Sequence, residues 1–536
     1  MTDPDLTSGA SGTPWLATAS RPIFPKLEGD LEVDVAIIGG GIFGLSAAYF
    51  LAQEGRSVAV LEDGVIGSGE TGRTTAHLAS ALDDRFFRLE KLHGADVARM
   101  AWQSHASAID KIEAVSRKHQ IECDFERLPG YLLPSGDDAP DILDQEFESC
   151  KRIGVEGVEK LDRSPLGDGP CLKFDNQGQF HVLKYLSGIA VATVRQGGRI
   201  FERSHVEDWD IQDRVKVVVS GQGTVTASDL IVATNAPIAS RVKIPLKLFS
   251  YRSYVVALRL RRGQLPPGLY WDTADPYHYL RFMAAEQGDG GLLLVGGEDH
   301  KTGQPGKENG EERYTRLEAW GRERVPQAGD VQFRWSGQIL EPADGLAFIG
   351  KYSDHVYIAT GDSGHGMTHG TISGMLLRDL LIGRDNPWAK IYDPNRSGLR
   401  GFGEIASENL NVLPKYGQWV TGGDVKGPRE IPLGEGRVVR RGLKKLAVYR
   451  DEKGALHTLS AVCPHLGCIV AWNETEKTWD CPCHGSRFAG EGQVLNGPAN
   501  TGLEEIRKGP SRVAKPRAAE SDRAAGKKAG KRRSKK

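Results

Sequence analysis

The stretch Val33-Asp34-Val35-Ala36-Ile37-Ile38-Gly39-Gly40-Gly41-Ile42-Phe43-Gly44 decides the fold. Its first six residues make a short apolar strand, and from Ile42 to Gln53 the sequence continues with helical periodicity. Gly55 can stop that helix, Ser57 to Leu61 forms a second apolar strand, and Glu62 stands at its end. The whole is a strand–turn–helix–strand unit of about thirty residues. Gly39 permits the tight turn, Gly41 lets backbone amides approach a pyrophosphate, and Gly44 lets helix and strand pack closely. The helix N-terminus offers partial positive charge to phosphates. Glu62, 18 residues after Gly44, is placed to accept hydrogen bonds from a ribose. A bound dinucleotide is the expectation.

Around this unit the chain runs to 536 residues and 58.4 kDa, enough for roughly two to four domains. With 39% hydrophobic and 26% charged residues the composition is that of an ordinary globular protein. No apolar run reaches the length of a membrane-spanning helix, and the N-terminus has no basic region followed by an apolar stretch. The expected address is cytoplasmic. The net charge of −1 hides an asymmetry: Gly509 to Lys536 holds 11 Lys/Arg against 2 Asp/Glu, leaving 58 against 68 elsewhere. That tail has no aromatic residue and reads as disordered and solvated, without specific nucleic-acid recognition.

The nature of the dinucleotide comes from three further segments. Gly69-Glu70-Thr71-Gly72-Arg73-Thr74-Thr75-Ala76-His77 resembles the second flavin-contacting segment of the D-amino-acid oxidase/glycine oxidase superfamily. Ile231-Val232-Ala233-Thr234-Asn235 resembles its central strand-to-loop element. Asp344 to Gly350, followed by Ala359-Thr360-Gly361-Asp362-Ser363-Gly364-His365-Gly366-Met367, resembles its C-terminal flavin signature. The resemblance implies FAD, held by Gly39, Gly41, Gly44, Glu62, Arg73, Thr74, Thr75, His77, Val206, Asp344, Gly361, Gly364, His365, Gly366 and Met367. Val206 would offer its backbone to the adenine, and a helix from Thr371 to Leu381 would point its N-terminus at the isoalloxazine.

Two departures from the family matter. Members that oxidise amino acids carry an Arg two residues after the Gly of a Trp-x-Gly motif, where it clamps the substrate carboxylate. Here Trp335-Ser336-Gly337 is followed by Gln338 and Ile339, which leaves Arg252 or Arg334 as substitutes and favours an amine over an amino acid. Thr74-Thr75-Ala76-His77 is also similar to the stretch in which dimethylglycine and sarcosine dehydrogenases link FAD to His. The spacing from Gly72 is one residue longer than in those enzymes, which favours a hydrogen-bonding or packing His77. Asp362, His365 and His369 nearly match the mononuclear iron triad of Rieske oxygenases, but the His–His separation is one residue short. No catalytic base is assigned.

The second strong pattern lies near the C-terminus. Cys463-Pro464-His465-Leu466-Gly467-Cys468 is followed after 12 residues by Cys481-Pro482-Cys483-His484-Gly485-Ser486. Cys-x-His and Cys-x-x-His present two thiolates and two imidazoles from two loops. That set suits a Rieske [2Fe-2S] centre, with Cys463 and Cys481 on one iron and His465 and His484 on the other. Zinc is the competing reading of two Cys and two His. The loops resemble those of the Rieske proteins of cytochrome bc complexes, which implies a Cys468–Cys483 disulfide clamping them. Gly497-Pro498-Ala499 is similar to the Pro loop that covers their cluster.

The expected architecture is thus an α/β FAD-binding Rossmann-like domain with an interleaved α+β substrate domain, followed by a small all-β Rieske domain. The expected boundaries are a lead-in over 1–32, the flavin domain over 33–405, a linker over 406–423, the Rieske domain over 424–508 and the tail over 509–536. The expected activity is oxidation of a small amine or amino-acid-like substrate by FAD, with electrons passed to the cluster and on to an external one-electron acceptor, a protein or a quinone-like molecule. A non-catalytic redox relay and an NAD(P)H-fed reductase are the alternatives. Proteins of the bc type have a Ser donating to a bridging sulfide where Ser486 stands, and two residues on a Tyr donating to a ligand thiolate, where this chain has Phe488. With one charge-stabilising hydrogen bond missing, the cluster's potential should lie below the upper end of the Rieske range of about −150 to +300 mV. A redox titration checks this; a midpoint near the top of that range would refute it.

Overall fold

In a computed structural model of the chain, the described residues are 8–135, 139–167, 169–237, 244–304, 306, 308–396, 419 and 422–506. The basic tail and nearly all of the expected linker lie outside them. The strand Leu31–Ile38 forms the middle of the first sheet because alternate and then consecutive residues, Val33, Val35, Ala36, Ile37 and Ile38, are buried on both faces. It pairs in parallel with Val58–Leu61 on one side (Val35 opposite Val58) and with Gly223–Val232 on the other (Ile38 opposite Val232). Arg199–Phe201 and Val356–Thr360 extend the parallel core outward.

The helix Ile42–Gln53 is apolar almost all round, the pattern of a helix with no solvent face. It lies against the helix Gly366–Leu381, and the two approach so closely that a Cβ on Gly374 would sit 2.7 Å from both Phe50 and the Ser46 carbonyl carbon. The FAD-type half is therefore assembled from segments more than three hundred residues apart. The C-terminal helix begins five residues before the expected Thr371, at Gly366, so its first amides belong to the Gly361–Met367 loop itself.

The interleaved second layer is a mostly antiparallel sheet built on Leu248–Arg261, Gly290–Lys301 and Val331–Pro342, with His278–Ala284, Leu269–Asp272, Glu126–Leu133 and Cys171–Gln179 continuing it. The C-terminal all-β part has two small antiparallel sheets: Glu435–Arg441, Lys444–Arg450 and Leu456–Ser460 in one, and Ala471–Asn473, Thr478–Asp480, Arg487–Ala489 and Val494–Asn496 in the other. Its own small core includes Trp479 and Phe488, both fully buried. Residues 8–505 belong to one compact unit. Among the described residues no helix is long and apolar enough to cross a membrane.

The lead-in is more than a polar leader. Thr13 caps the short helix Pro14–Thr18, and Trp15 is completely buried, its indole donating to the Thr74 carbonyl at 2.6 Å. Gly44 marks the tightest approach in the fold, since a Cβ there would lie 1.9 Å from the Gly39 carbonyl oxygen. Gly44→Ala should therefore destabilise the protein by about 1–3 kcal/mol, the usual cost of overpacking. A thermal melt checks this, and an unchanged melting temperature would contradict the packing described.

Candidate flavin cavity and iron–sulfur loops

The glycine turn opens a cavity of about 310 Å³ that runs from Gly39 and Gly41 to His365 and Met367. Gly39 adopts φ +108°, and a Cβ there would meet the Ala233 carbonyl oxygen at 2.8 Å. Gly41 caps the helix Ile42–Gln53 without a side chain; Ile42 N–H donates to Thr71 Oγ1 at 3.1 Å, which leaves the amides after it for a ligand. Glu62 accepts from Gly40 N–H at 2.6 Å and Gly64 N–H at 3.0 Å; its burial nevertheless pushes the carboxyl up to about 7.

Of the residues expected to hold FAD, Gly39, Gly41, Glu62, Arg73, Thr74, Thr75, His77, Val206, Gly361, Gly364, His365, Gly366 and Met367 line the cavity. Gly44 acts behind it, through helix packing. Asp344 is not among the lining residues: its carboxylate takes a two-pronged grip from Arg396, at 2.7 and 2.6 Å. Arg73 lines the wall with its guanidinium turned away, donating to Gly9 O, Ser11 Oγ and Ser336 O, each within 2.9 Å. The His77 ring shares a 3.1 Å hydrogen bond with Thr75 through Nδ1, while Nε2 is buried without a partner. Burial and the nearby Arg281 hold this imidazole down at about 3, hence neutral.

At the far end Trp271, Tyr277, Tyr279, Ser253 and Asp83 form the wall, the two tyrosine rings stacked with centroids 5.6 Å apart. His365 Nε2 accepts from the Asp83 backbone N–H at 2.9 Å. Neither arginine expected to stand in for the carboxylate clamp lines the cavity. Arg334 reaches outward to Glu311 and Glu318, and Arg252 is fully buried beside Ser336 and Glu476. Asp362, His365 and His369 form no metal triad: the Asp362 carboxylate accepts from Leu340 N–H at 2.9 Å, and His369 Nδ1 lies 2.9 Å from the Asp362 carbonyl oxygen.

The second site is made by two tight loops. In each, a cysteine amide closes the turn, Cys463 N–H donating to Cys468 O and Cys481 N–H to Ser486 O, both at 2.8 Å. The Cys468–Cys483 disulfide ties the loops together, with a Cα–Cα distance of 6.5 Å. Cys463 and Cys481 are free, buried and in contact. The Cys481 thiol, followed by the amides of His465 and Leu466 and the Ser486 hydroxyl, holds the Cys463 thiol down at about 7. The His465 and His484 rings meet edge to face at 4.9 Å, and both Nδ1 atoms are buried without partners. Burial lowers both imidazoles, His484 to about 4, so both are neutral donors.

The spacing of these donors discriminates between metals. Ligands of a tetrahedral zinc, at about 2.0–2.3 Å from the ion, lie within about 3.8 Å of one another. Among the described residues, the one group of three donors within 4.8 Å of one another is Cys468, Cys481 and Cys483, and two of those sulfurs are already bonded together. Two thiols in one place and two imidazoles in another suit a pair of irons better than a single ion.

Sequence reasoning missed the seam between the two sites. Val494, Leu495, Asn496, Gly497, Ala499 and Asn500, all from the C-terminal β part, also line the flavin cavity. Gln338 lines it too, and its Nε2 donates to the Gly485 carbonyl at 3.0 Å, one residue from His484. The turn holding Glu476 reads as an ordinary polar hairpin, so nothing in the sequence marked it.

Comparison with known proteins gives the same division. Residues 34–380 match the family model described as FAD dependent oxidoreductase, and residues 423–507 match that of the Rieske [2Fe-2S] domain. The chain is 33% identical over 518 residues to YhfW of Bacillus subtilis (strain 168), named as a Rieske 2Fe-2S iron-sulfur protein, covering 94% of this chain and 99% of that one. It is 29% identical over 377 residues to gamma-glutamylputrescine oxidoreductase of Escherichia coli (strain K12), covering 67% and 86%. Glycine oxidase from Geobacillus kaustophilus shares the fold, with a TM-score of 0.59 at 21% identity over 68% of this chain and 99% of that one.

Three buried histidines set an acid limit. His77 and His369 are held at about 3 and His181 at about 4, each chiefly by burial, against an ordinary value near 6.5. At these rings the unfolded chain binds protons that the folded one refuses, so their contribution to stability is full above pH 6.5 and is lost as pH falls toward 4. The buried carboxyls of Glu62 and Asp362, raised to about 7, contribute in the opposite sense over the same window. The rings are therefore read by difference: between about pH 7 and about pH 5, His77→Gln should lose less melting temperature than the wild type. An equal or larger loss in His77→Gln would contradict the burial of this neutral ring.

Proposed function

The chain belongs to the FAD dependent oxidoreductase family and carries a C-terminal Rieske [2Fe-2S] domain; from that premise we propose that it oxidises a small amine, passes the electrons from FAD to the cluster, and delivers them to an external one-electron acceptor. FAD supplies two-electron oxidation, and the cluster supplies one-electron carriage at a potential raised by its imidazole ligands.

The observation that carries this reading is the wall shared by the two sites. Gln338 faces the flavin cavity and holds the loop of His484, while Leu495 to Asn500 close the same cavity from the Rieske side. No diffusing carrier is needed between groups held on either side of one wall.

The chemistry of the far end supports an amine as the substrate class. Ile339 occupies the position of the missing clamp, and Arg73 is the one arginine among the described lining residues, its guanidinium spent on backbone carbonyls, Ser11 and Glu476. Among the described residues no lysine lines the cavity, whereas Asp83 does. A negative carboxylate beside stacked tyrosines attracts a cation and rejects an anionic carboxylate. Trp271, Tyr277 and Tyr279 would orient a substrate in the cavity, and in the hydride transfer that FAD supplies such positioning outweighs acid–base catalysis.

Anaerobic mixing of the holoprotein with a panel of secondary and tertiary amines tests the proposal. One of them should bleach the flavin absorbance, after which the cluster's paramagnetic signal should rise. Asp83→Asn should raise the amine concentration needed for half-maximal bleaching by about tenfold, the equivalent of one lost charge contact. Bleaching by NAD(P)H or a donor protein alone would replace the proposal with a reductase or relay.

A further inference from the structure

We infer that the Rieske domain is fixed on the flavin domain and does not swing, with Glu476 as the residue that positions it. The inference rests on the proposed transfer from flavin to cluster and specifies how that transfer is arranged. Glu476, completely buried, belongs to the turn between two strands of the cluster-bearing sheet. Its carboxylate accepts from Ser336 N–H at 3.0 Å and Ser336 Oγ at 2.6 Å, and pairs with Arg73 at 3.1 Å and Arg252 at 3.5 Å. All of these belong to the flavin domain. Burial alone would raise this carboxyl, but Arg73, Arg252 and Arg487 hold it far below the usual carboxylate range.

The N-terminal segment closes the clamp from a third side. Ser11 donates to Glu476 through N–H at 3.2 Å and Oγ at 2.7 Å, and Ala10 N–H donates to the Glu476 carbonyl at 3.0 Å. Gly9 O accepts from Arg73, and Ser8 O accepts from Arg487 of the Rieske domain at 2.9 Å. The strap is anchored behind by Thr13 and Trp15, which donate to Gly72 O and Thr74 O. Swinging the domain outward would require pulling this strap from between the two layers.

Backbone contact at the cluster loop leaves no slack. A Cβ on Gly485 would lie 2.2 Å from Ser250 Oγ, and one on Gly303 would lie 2.8 Å from Pro482 N. Gln304 Nε2 donates to the Pro482 carbonyl at 2.9 Å. A Cβ on Gly497 of the Pro loop would lie 2.8 Å from the Ala236 carbonyl oxygen. Buried charges paired in the way Glu476, Arg73 and Arg252 are paired hold one geometry, and removal of one of them is disproportionately costly. Electron flow then needs no domain movement. With both groups bound, a reduced flavin would give up its two electrons one at a time and its proton to solvent, an external one-electron acceptor reoxidising the cluster after each transfer.

The test uses the anaerobic holoprotein, its flavin reduced photochemically with deazaflavin and EDTA, and follows the cluster by freeze-quench paramagnetic resonance. The wild-type transfer rate should stay constant across a roughly fivefold range of glycerol viscosity, because nothing diffuses. Glu476→Gln should slow transfer by about tenfold or more and make it viscosity-dependent. Gln304→Ala, at the edge of the seam, should give the same change on a smaller scale. Hydrogen exchange of residues 480–486 should be as slow as that of the sheet core in the wild type and faster in Glu476→Gln. A viscosity-dependent wild type, or fast exchange of the loop, would overturn the fixed geometry while leaving the transfer itself intact. A reduced flavin beside a cluster that never gains signal would overturn the proposed function instead.

Discussion

The carboxylate of Glu476 lies where two arginines of one domain and one of the other converge with no access to water. A charge in such a place is tolerated only if its partners are fixed, because a buried ion without a counterion is far less stable than a solvated one. The partners in turn are fixed by what they do elsewhere. Arg73 sits on the segment that lines the flavin cavity, and Ser336 sits on the strand that continues through Gln338 to the cavity's edge. The same ionic contact that joins the domains thus sets the position of two cavity walls, and the cavity cannot keep its shape if the seam opens.

The iron–sulfur loops are correspondingly unequal. The loop of Cys481 to Ser486 is buried against the flavin domain, whereas Pro464 and Leu466 on the other loop face solvent. Of the two imidazoles, His484 is thus the one on the loop against the flavin domain and His465 the one nearer the surface. Ser486 serves two purposes in this arrangement: its hydroxyl accepts from Ala499 N–H at 3.0 Å and bonds to the Cys463 thiol. The Pro loop is thereby held by the same side chain that bonds to the Cys463 sulfur, while Phe488, fully buried, contributes packing alone.

The glycine turn, the parallel strand pair and the two ligand loops were legible from sequence because each depends on local chemistry at fixed spacing. The strand found at Leu31–Ile38 and the helix at Ile42–Gln53 match the expected segments within two residues. What was not legible depends on residues far apart in the chain. Glu476 and Arg73 are 403 positions apart, and neither carries a pattern of its own. The segment Ser8 to Ser11 is a run of small residues that reads as a linker; its role comes from backbone groups, which every sequence has. Asp344 shows the opposite error. It lies in a motif with a flavin-family look, yet its carboxylate is taken by Arg396, and only the fold reveals that partner.

The acids around the cavity follow one electrostatic rule. FAD carries two phosphates, and a wall of ionised carboxylates would oppose it. Glu62 near the glycine turn and Asp362 near the C-terminal helix are both raised to about 7, in each case chiefly by burial. Neither is bound to be negative when a phosphate or a reduced flavin is close, and each keeps backbone N–H partners in either state. The helix Gly366–Leu381 has no side-chain cap at its N-terminus, so its partial positive charge reaches the cavity uncancelled. Burial thus eases these two cavity-lining carboxyls toward neutrality.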